Sequence, residues 1–172
     1  AGKLVDDLLS FSQMGRASLH PCPVNMRELV QGCIQKLALD IRERQVEWEI
    51  GALPQVHADP TFLQLALYNL LSNAVKFTGQ KEIARIAVTA TEQPHEVVFH
   101  VADNGAGFNM EYVHKLFGVF QRLHRMEDFP GTGIGLANVR RIIERHGGRV
   151  WAASAPGAGA TFSFSIPKDI VL

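Results

Sequence analysis

The sequence contains little of what marks several classes of protein, and each shortage excludes something. Its only cysteines, Cys22 and Cys33, have neither the spacing of a metal cluster nor the density of a disulfide scaffold. We therefore expect a reducing compartment, with the cytoplasm as the location. No apolar run approaches the roughly 18 residues that would span a bilayer, and the first residues lack the charged start and apolar centre of a signal peptide. We expect no membrane contact by this segment.

Charge of either sign is not in excess, because Lys plus Arg and Asp plus Glu both number 17. A chain without net charge creates no global field that would attract nucleic acid or an acidic lipid surface. We predict no nucleic-acid partner, and any anion site has to be local.

What the chain does contain is typical of one globular domain with a short appendage: 172 residues, 47% hydrophobic and 20% charged. Apolar residues recur at helical spacing at about 1–16, 25–44, 60–77 and 134–146. Asn25 and Asp59 are the predicted N-caps of the second and third helices. Alternating apolar residues predict short strands at 46–50 and 55–59, and longer strands at 84–92, 96–103, 149–155 and 160–166.

Strands and helices do not alternate strictly, and no βαβ dinucleotide unit is present. The predicted fold class is therefore an α/β (α+β) two-layer sandwich, in which a mixed, mostly antiparallel sheet of about five strands is covered by three helices. Residues 17–24 contain two prolines and predict a linker between the first helix and the domain. The first helix has an apolar stripe at Leu4, Leu8 and Phe11.

Three polar residues share one face of the third predicted helix, because Asn69, Asn73 and Lys76 fall at i, i+4 and i+7. Asparagine is a weak helix former, so two of them in mid-helix require a reason. An amide oxygen suits Mg²⁺, a hard ion that prefers oxygen, and the ammonium suits phosphates bridged by that metal. The alternative interpretation is a solvated polar face.

A carboxylate ends the strand predicted at 96–103. Strand alternation places Asp103 on the face of the apolar residues 97, 99 and 101. A carboxylate there is costly without a donor; an adenine amino group is such a donor, and Gly105 and Gly107 would let the chain pass close to a flat ring. The alternative is an ordinary Asp-Asn-Gly turn.

A glycine-rich turn precedes the fourth predicted helix, with glycine at 131, 133 and 135. A dinucleotide fingerprint would need glycine where Leu136 stands, and no lysine completes a P-loop. Backbone N–H groups at the positive end of a helix still suit a phosphate. The alternative is a surface loop with no ligand.

The stretches "NLLSNAVKFT", "DNGAGF", "KLFGVFQRL", "GTGIGL" and "GAGATF" resemble the N box, the three glycine boxes and the phenylalanine box of one family. That family is the ATP-binding domain of bacterial sensor histidine kinases, a Bergerat-type ATP-binding fold. The resemblance covers residues 24–167, and five motifs in the expected order are together specific. The stretch at 120–152 is especially similar to phytochrome-type photoreceptor kinases.

The resemblance implies that ATP and Mg²⁺ bind between the N-box helix and a lid at about 124–130. Asn73 would ligate Mg²⁺ with the help of Asn69, Lys76 would contact phosphate, and Asp103 would bind the adenine amino group. Arg122 would approach the γ-phosphate. The remaining expected nucleotide contacts are Gly105, Gly107, Gly131, Thr132, Gly133, Gly135, Leu136 and Thr161.

The resemblance also implies a domain division. Residues 1–16 would be the C-terminal end of a dimerisation and phosphoacceptor hairpin, residues 17–24 a linker, and residues 25–172 the ATP-binding catalytic domain. The implied partners are the upstream phosphoacceptor histidine domain, a second kinase protomer in a homodimer, and the receiver domain of a response regulator. The implied activity is transfer of the γ-phosphoryl group to that histidine.

Two other functions stay open. Related hydrolases of this fold activate water with a glutamate one helical turn before the metal asparagine, but Asn69 occupies that position here and its amide cannot accept a proton. A degenerate nucleotide-binding interaction module is the second alternative. The histidine most similar to a phosphoacceptor, His95, is predicted to start a strand rather than to lie on an exposed helix. The other histidines are predicted to be surface or half-buried residues.

Overall fold

The computed structural model describes residues 18–110, 117 and 135–168, and the single positions 5, 9, 12 and 16. The helices are α1 (Met26–Leu37), α2 (Pro60–Phe77) and α3 (Gly135–Arg145), and a 3₁₀ turn (Ala38–Ile41) follows α1. The strands are β1 (Cys22–Val24), β2 (Gln45–Ile50), β3 (Val56–Ala58), β4 (Ile83–Glu92), β5 (Glu96–Asp103), β6 (Val150–Ser154) and β7 (Ala160–Pro167).

Five of the strands form one mixed sheet in the order β2-β4-β5-β7-β6. Only β2 and β4 are parallel, and the other three pairs are antiparallel. The strands β1 and β3 form a separate antiparallel pair. With α1, α2 and α3 packed on one side of the sheet, the structure confirms the predicted sandwich of three helices over a mixed, mostly antiparallel sheet.

The core lies between the helices and the central strands. The register pairs the buried residues Val97, Phe99 and Val101 of β5 with Ile166, Phe164 and Phe162 of β7. The rings of Phe99 and Phe164 stack with centroids 5.3 Å apart. Burial of each such side chain stabilises the fold by about 1.5 to 3 kcal/mol relative to exposure. The central strands are therefore stable, and they hold the loops at their ends in place.

The helix predicted at 25–44 begins as expected, because the Asn25 side chain accepts a hydrogen bond from the Glu28 N–H. It leaves α-helical geometry earlier than predicted, at Leu37. Arg44 lies beyond the helix and contacts the end of α2 instead. Its guanidinium donates to the Val75 carbonyl at 2.7 Å and to the Thr78 hydroxyl at 3.1 Å. A cation at that position offsets the negative end of α2, and the chain turns after α1 to bring it there.

Helix α2 is well defined at its first turn. The Asp59 carboxylate caps it by accepting from the N–H groups of Thr61 and Phe62, and Pro60 occupies a first-turn position where its missing N–H costs nothing. The prediction that Asp59 is the N-cap is confirmed.

The predicted linker at 17–24 includes secondary structure, because Cys22–Val24 forms β1 and pairs with Val56–Ala58. The apolar stripe predicted at 4, 8 and 11 lies outside the described residues. Among the described residues, no helix combines the length and apolarity that crossing a membrane requires.

Candidate functional site

A buried carboxylate ends β5 on the side of the sheet that the helices cover. Asp103 is 9% exposed and lies opposite Ala160 of β7. Its Oδ1 accepts a 2.8 Å hydrogen bond from the Gly105 N–H. Burial raises the pKa of Asp103 to about 6, and the N–H groups of Gly105 and Ala160 offset part of that rise. The prediction that Asp103 lies on the apolar side of the sheet is confirmed. Its carboxylate can accept a hydrogen bond from a further donor.

The loop after Asp103 is held by backbone contacts that exclude side chains. The Ala106 N–H donates to the Phe77 carbonyl at the end of α2. A Cβ at Gly105 would lie 2.3 Å from that same carbonyl oxygen. At Gly107 the backbone has a φ of 68°, and a Cβ would lie 2.2 Å from the Ala155 carbonyl oxygen. The close approaches that the structure shows at these two glycines are therefore to protein backbone.

The turn between β6 and β7 holds the other side of this loop. The Gly157 N–H donates to the Ala106 carbonyl at 2.7 Å, and the Gly159 N–H donates to the Gly105 carbonyl at 3.1 Å. Asn104 ties the loop to β4, since its amide accepts from the Arg85 N–H and donates to the Ile83 carbonyl. The position of Asp103 is thus fixed from α2, β4 and the β6–β7 turn together.

The polar face of α2 runs toward this loop. Asn69, Asn73 and Lys76 are each half-buried on that helix. The amide Nδ2 of Asn69 is buried and, within the part of the chain that the structure describes, has no hydrogen-bond partner. Because an unpaired buried donor is costly, this amide suits a phosphate oxygen or a metal-bound water.

The start of α3 faces the same helix. A Cβ at Gly135 would lie 3.6 Å from the Oδ1 atom of Asn69, so the structure brings together two of the predicted site residues. Leu136 packs against the edge of the core. Asn138, on the first turn of α3, is 1% exposed and its Oδ1 also lacks a partner among the described residues. Asn138 was not predicted as a site residue, although an asparagine on the buried side of an amphipathic helix was a usable signal.

Thr161 is not brought to Asp103. The register pairs Thr161 with Ala102 and places it on the face of the sheet away from the helices. The residue beside Asp103 on β7 is Ala160.

One histidine differs from the prediction. His146, expected at the surface or half-buried, is 1% exposed, so that prediction was wrong. Its ring joins the end of α3 to the Asp59 N–H at 3.0 Å. Sequence reasoning missed it because the pairing partner lies 87 residues away.

Several predicted site residues lie outside the described residues: Arg122, Gly131, Thr132, Gly133 and the segment 124–130. Of the phenylalanine-box residues 115–123, Phe117 is described, and its ring meets the Phe162 ring edge-on at 6.3 Å.

The side-chain amides on α2 offer oxygen atoms that fit a hard ion such as Mg²⁺. Over residues 18–110 and 135–168, no group of three or more His, Cys, Asp or Glu side chains could hold a metal ion. Amide oxygens on α2 are hard donors of the kind that Mg²⁺ accepts together with waters and phosphates.

The family described as histidine kinase-, DNA gyrase B-, and HSP90-like ATPase matches residues 58–170. The chain belongs to this ATPase family. The match begins at the end of β3 and includes α2, the Asp103 loop, α3 and β7, which are the elements that build the site.

The most similar relatives of this ATPase domain include histidine kinases. Phytochrome-like protein Cph1 of Synechocystis sp. is 37% identical over 164 residues, covering 95% of this chain and 22% of that protein. The methanogenesis regulatory histidine kinase FilI of Methanothrix harundinacea is 36% identical over 165 residues, covering 95% and 18%. The chain thus spans about a fifth of the length of these relatives.

Solved histidine kinases share the fold of this ATPase domain. Full-length ShkA in complex with AMPPNP superposes with a TM-score of 0.80 at 31% identity, covering 98% of this chain and 36% of that one. The nucleotide-free catalytic domain of ThkA gives 0.71 at 29% identity, covering 87% and 96%. The chain is a histidine kinase type of ATP-binding domain.

Proposed function

We propose that this domain binds Mg-ATP and donates the γ-phosphoryl group to a histidine on a separate helical hairpin of the same protein. The observation that carries the proposal is the buried carboxylate of Asp103, held by the Gly105 N–H at the end of β5 and lying beyond the polar face of α2. The buried acceptor matches the amino group of the adenine base. The amides and the ammonium on α2 match the phosphates at the other end of ATP.

Each residue then has one task. The Asp103 carboxylate accepts a hydrogen bond from the adenine amino group, and the ionised form of the carboxylate is the one that binds. Asn73, with Asn69 beside it, supplies amide oxygen to Mg²⁺, which when bound neutralises phosphate charge. Lys76 contacts phosphate as a point charge. The buried, unpartnered Nδ2 of Asn69 supports a polar ligand at this point of α2.

The remaining assignments concern residues beyond the described part of the chain or outside the pocket. Arg122 is proposed to approach the γ-phosphate, and Gly131, Thr132 and Gly133 to contact the phosphates together with Gly135. Thr161 loses support as a nucleotide contact, since it lies on the far face of the sheet from Asp103.

Phosphoryl transfer is favoured over hydrolysis. Hydrolysis needs a base that activates water, and the amide of Asn69 cannot accept a proton at neutral pH. Positioning and charge stabilisation suffice for transfer to an imidazole that is brought to the γ-phosphate.

The partners follow from this chemistry. The acceptor histidine would lie on the hairpin whose second helix ends within residues 1–16, a second protomer would complete that hairpin's bundle, and a receiver domain would take the phosphoryl group. ThkA has been crystallised in complex with the response regulator TrrA, which supports a receiver as the partner class. Such a domain would work in the cytoplasm, where ATP is available.

Calorimetric titration of Mg-ATP into the chain tests the proposal, with Asp103→Ala as the variant and an EDTA arm. Asp40→Ala is the control, because Asp40 is an exposed acid in the 3₁₀ turn. We expect metal-dependent binding that Asp103→Ala abolishes and Asp40→Ala retains, with negligible phosphate release. Sustained release would favour the ATPase, and absence of binding by the unmodified chain would refute the proposal.

A second assay addresses transfer. The longer protein that contains this domain, incubated with γ-labelled Mg-ATP, should acquire label that is lost in acid and kept in base, as phosphohistidine requires. Label that resists acid would contradict transfer to histidine.

A further inference from the structure

A chain of hydrogen bonds joins the segment before β1 to the far end of α3. The His20 N–H donates to Oδ2 of Asp59 at 2.9 Å. The N–H of Asp59 in turn donates to Nε2 of His146 at 3.0 Å, and Nδ1 of that ring lies 2.8 Å from the Ile142 carbonyl. Because a carbonyl only accepts, Nδ1 carries the proton and Nε2 is the acceptor. We call these contacts the His20–Asp59–His146 bridge.

The bridge is buried at its centre. Asp59 is 5% exposed and His146 is 1% exposed. Oδ1 of Asp59 is used by the cap of α2, where it accepts from Thr61 and Phe62. Oδ2 accepts the His20 N–H. A buried carboxylate is costly without hydrogen-bond donors. Undocking of the segment at His20 removes the donor to Oδ2 of Asp59 and is therefore unfavourable.

Helix α3 is fixed against α2 at both ends. At one end His146 contacts Asp59, and at the other Gly135 faces Asn69. Near the Gly135 end, the buried Oδ1 of Asn138 and Nδ2 of Asn69 have no partner within the described residues. Apolar side chains of the two helices pack in one core, and the bridge adds a directional contact to that packing.

A rigid helix transmits movement from one end to the other. Helix α3 has 11 residues, about 16 Å at the usual rise per residue. A shift at His146 therefore changes the position of Gly135 relative to Asn69. The strand β1 begins two residues after His20 and pairs Cys22 with Ala58, next to Asp59, so docking of β1 and docking of His20 occur together.

We propose that Asp59 and His146 are positioning residues that make docking of residues 20–24 and nucleotide binding at the start of α3 interdependent. The nucleotide half of this statement rests on the proposed function. Displacement of residues 20–24 lowers nucleotide affinity, and by thermodynamic reciprocity bound nucleotide tightens the docking of these residues by the same factor. A movement of the chain before residue 20 would thereby reach the ATP site through the N-cap of α2.

Two substitutions at one position test the bridge without nucleotide. His20→Pro removes the donor N–H, whereas His20→Ala keeps it, and both change an exposed residue. In hydrogen exchange of the full chain, we expect amides of α3 to exchange at least about fivefold faster in His20→Pro than in His20→Ala. The amides of β4 and β5 should not differ. Equal exchange of α3 in the two variants would overturn the proposal.

A second arm measures Mg-AMPPNP affinity. His20→Pro should bind at least about fivefold more weakly than His20→Ala. AMPPNP should slow exchange of the Cys22 and Val24 amides in His20→Ala and less so in His20→Pro. At the other end, His146→Gln can still accept the Asp59 N–H and should retain more affinity than His146→Leu. Equal affinities overturn the coupling. Absence of binding by the unmodified chain refutes the proposed function instead, and the exchange arm still decides the bridge.

Discussion

Asp103 and Ala160 are directly opposite each other in the antiparallel pair of β5 and β7. A buried carboxylate therefore has a methyl group as its cross-strand neighbour, which helps to explain why burial outweighs its backbone donors and raises the pKa to about 6. Ionisation of this carboxylate, which a ligand amino group requires, is therefore less favourable in the free protein than in water, although the ionised form still predominates above about pH 6. The first two predictions follow from this conflict.

Asp103→Asn should change how stability depends on pH. The folded pKa of Asp103, about 6, lies above the ordinary value of 3.8, so the folded state holds the proton more tightly than the unfolded chain. The carboxyl group's contribution is full below about pH 4 and is lost as pH rises through about 6, a change on the order of 3 kcal/mol. Urea unfolding at pH 4.5 and 7.5 should show Asp103→Asn gaining on the unmodified chain at the higher pH. An unchanged difference would contradict the raised pKa.

Nucleotide affinity should fall in acid. Protonation of Asp103 removes the acceptor for the adenine amino group, so the dissociation constant should rise below about pH 6, by up to about tenfold per pH unit. Titrations of Mg-AMPPNP between pH 5 and 8 would measure this. Asp40→Asn should keep the same profile, and a flat profile in the unmodified chain would exclude Asp103 as the acceptor.

Gly107→Ala and Gly157→Ala should differ although both backbones have positive φ. A Cβ at Gly157 meets nothing within 4 Å, whereas one at Gly107 would lie 2.2 Å from the Ala155 carbonyl oxygen. Conformational strain alone costs about 1 to 2 kcal/mol, and the displaced backbone should bring Gly107→Ala to about 3 kcal/mol or more. Equal losses in the free energy of unfolding, measured in urea, would show that the loop at Gly107 can move to accommodate a Cβ at little cost.

Arg44→Met should destabilise the domain through the end of α2. The change removes the donors to the Val75 carbonyl and the Thr78 hydroxyl, a loss of about 1 to 3 kcal/mol. Arg42→Met is the matched control, since Arg42 is exposed and such changes usually fall within about 0.5 kcal/mol. Thermal unfolding distinguishes the two, and an equal effect would mean that the contacts of Arg44 contribute nothing.

Asn73→Ala should remove the dependence of binding on magnesium. The ratio of AMPPNP affinities with Mg²⁺ and with EDTA should shrink at least about tenfold, as expected when a metal site loses a ligand. Asn25→Ala is the control, because its cap bond to Glu28 affects stability by about 1 kcal/mol and should leave the ratio alone. An unchanged ratio in Asn73→Ala would assign the metal to another residue.

Local signals were sufficient for most of the fold. The strand at 96–103 was predicted with the bounds that β5 has, because its alternation and the following Asp-Asn-Gly mark both ends. The start of α2 followed from Asp59 and Pro60. The strand β1 left no comparable signal: its three residues include Pro23 and are defined by pairing with β3, which lies more than thirty residues away.

The site was predictable where chemistry and spacing coincide, as at Asp103, and less so where packing decides. Thr161 was chosen from its motif, but strand register places it on the opposite face from Asp103. The burial of His146 depends on a partner across the fold, and no local pattern reveals such a pair. The glycines of the Asp103 loop were expected for ligand access, whereas a side chain at either position would collide with the backbone of Phe77 or Ala155.

The position of β7 in the sheet has a consequence for synthesis of the protein. It is the last strand of the described residues, yet it lies between β5 and β6. Until the ribosome has passed residue 167, β5 has an unpaired edge and Phe99 lacks the ring of Phe164. During translation the nascent domain therefore exposes an apolar strand edge, which is an aggregation hazard. The core of the domain can close only once β7 has left the ribosome.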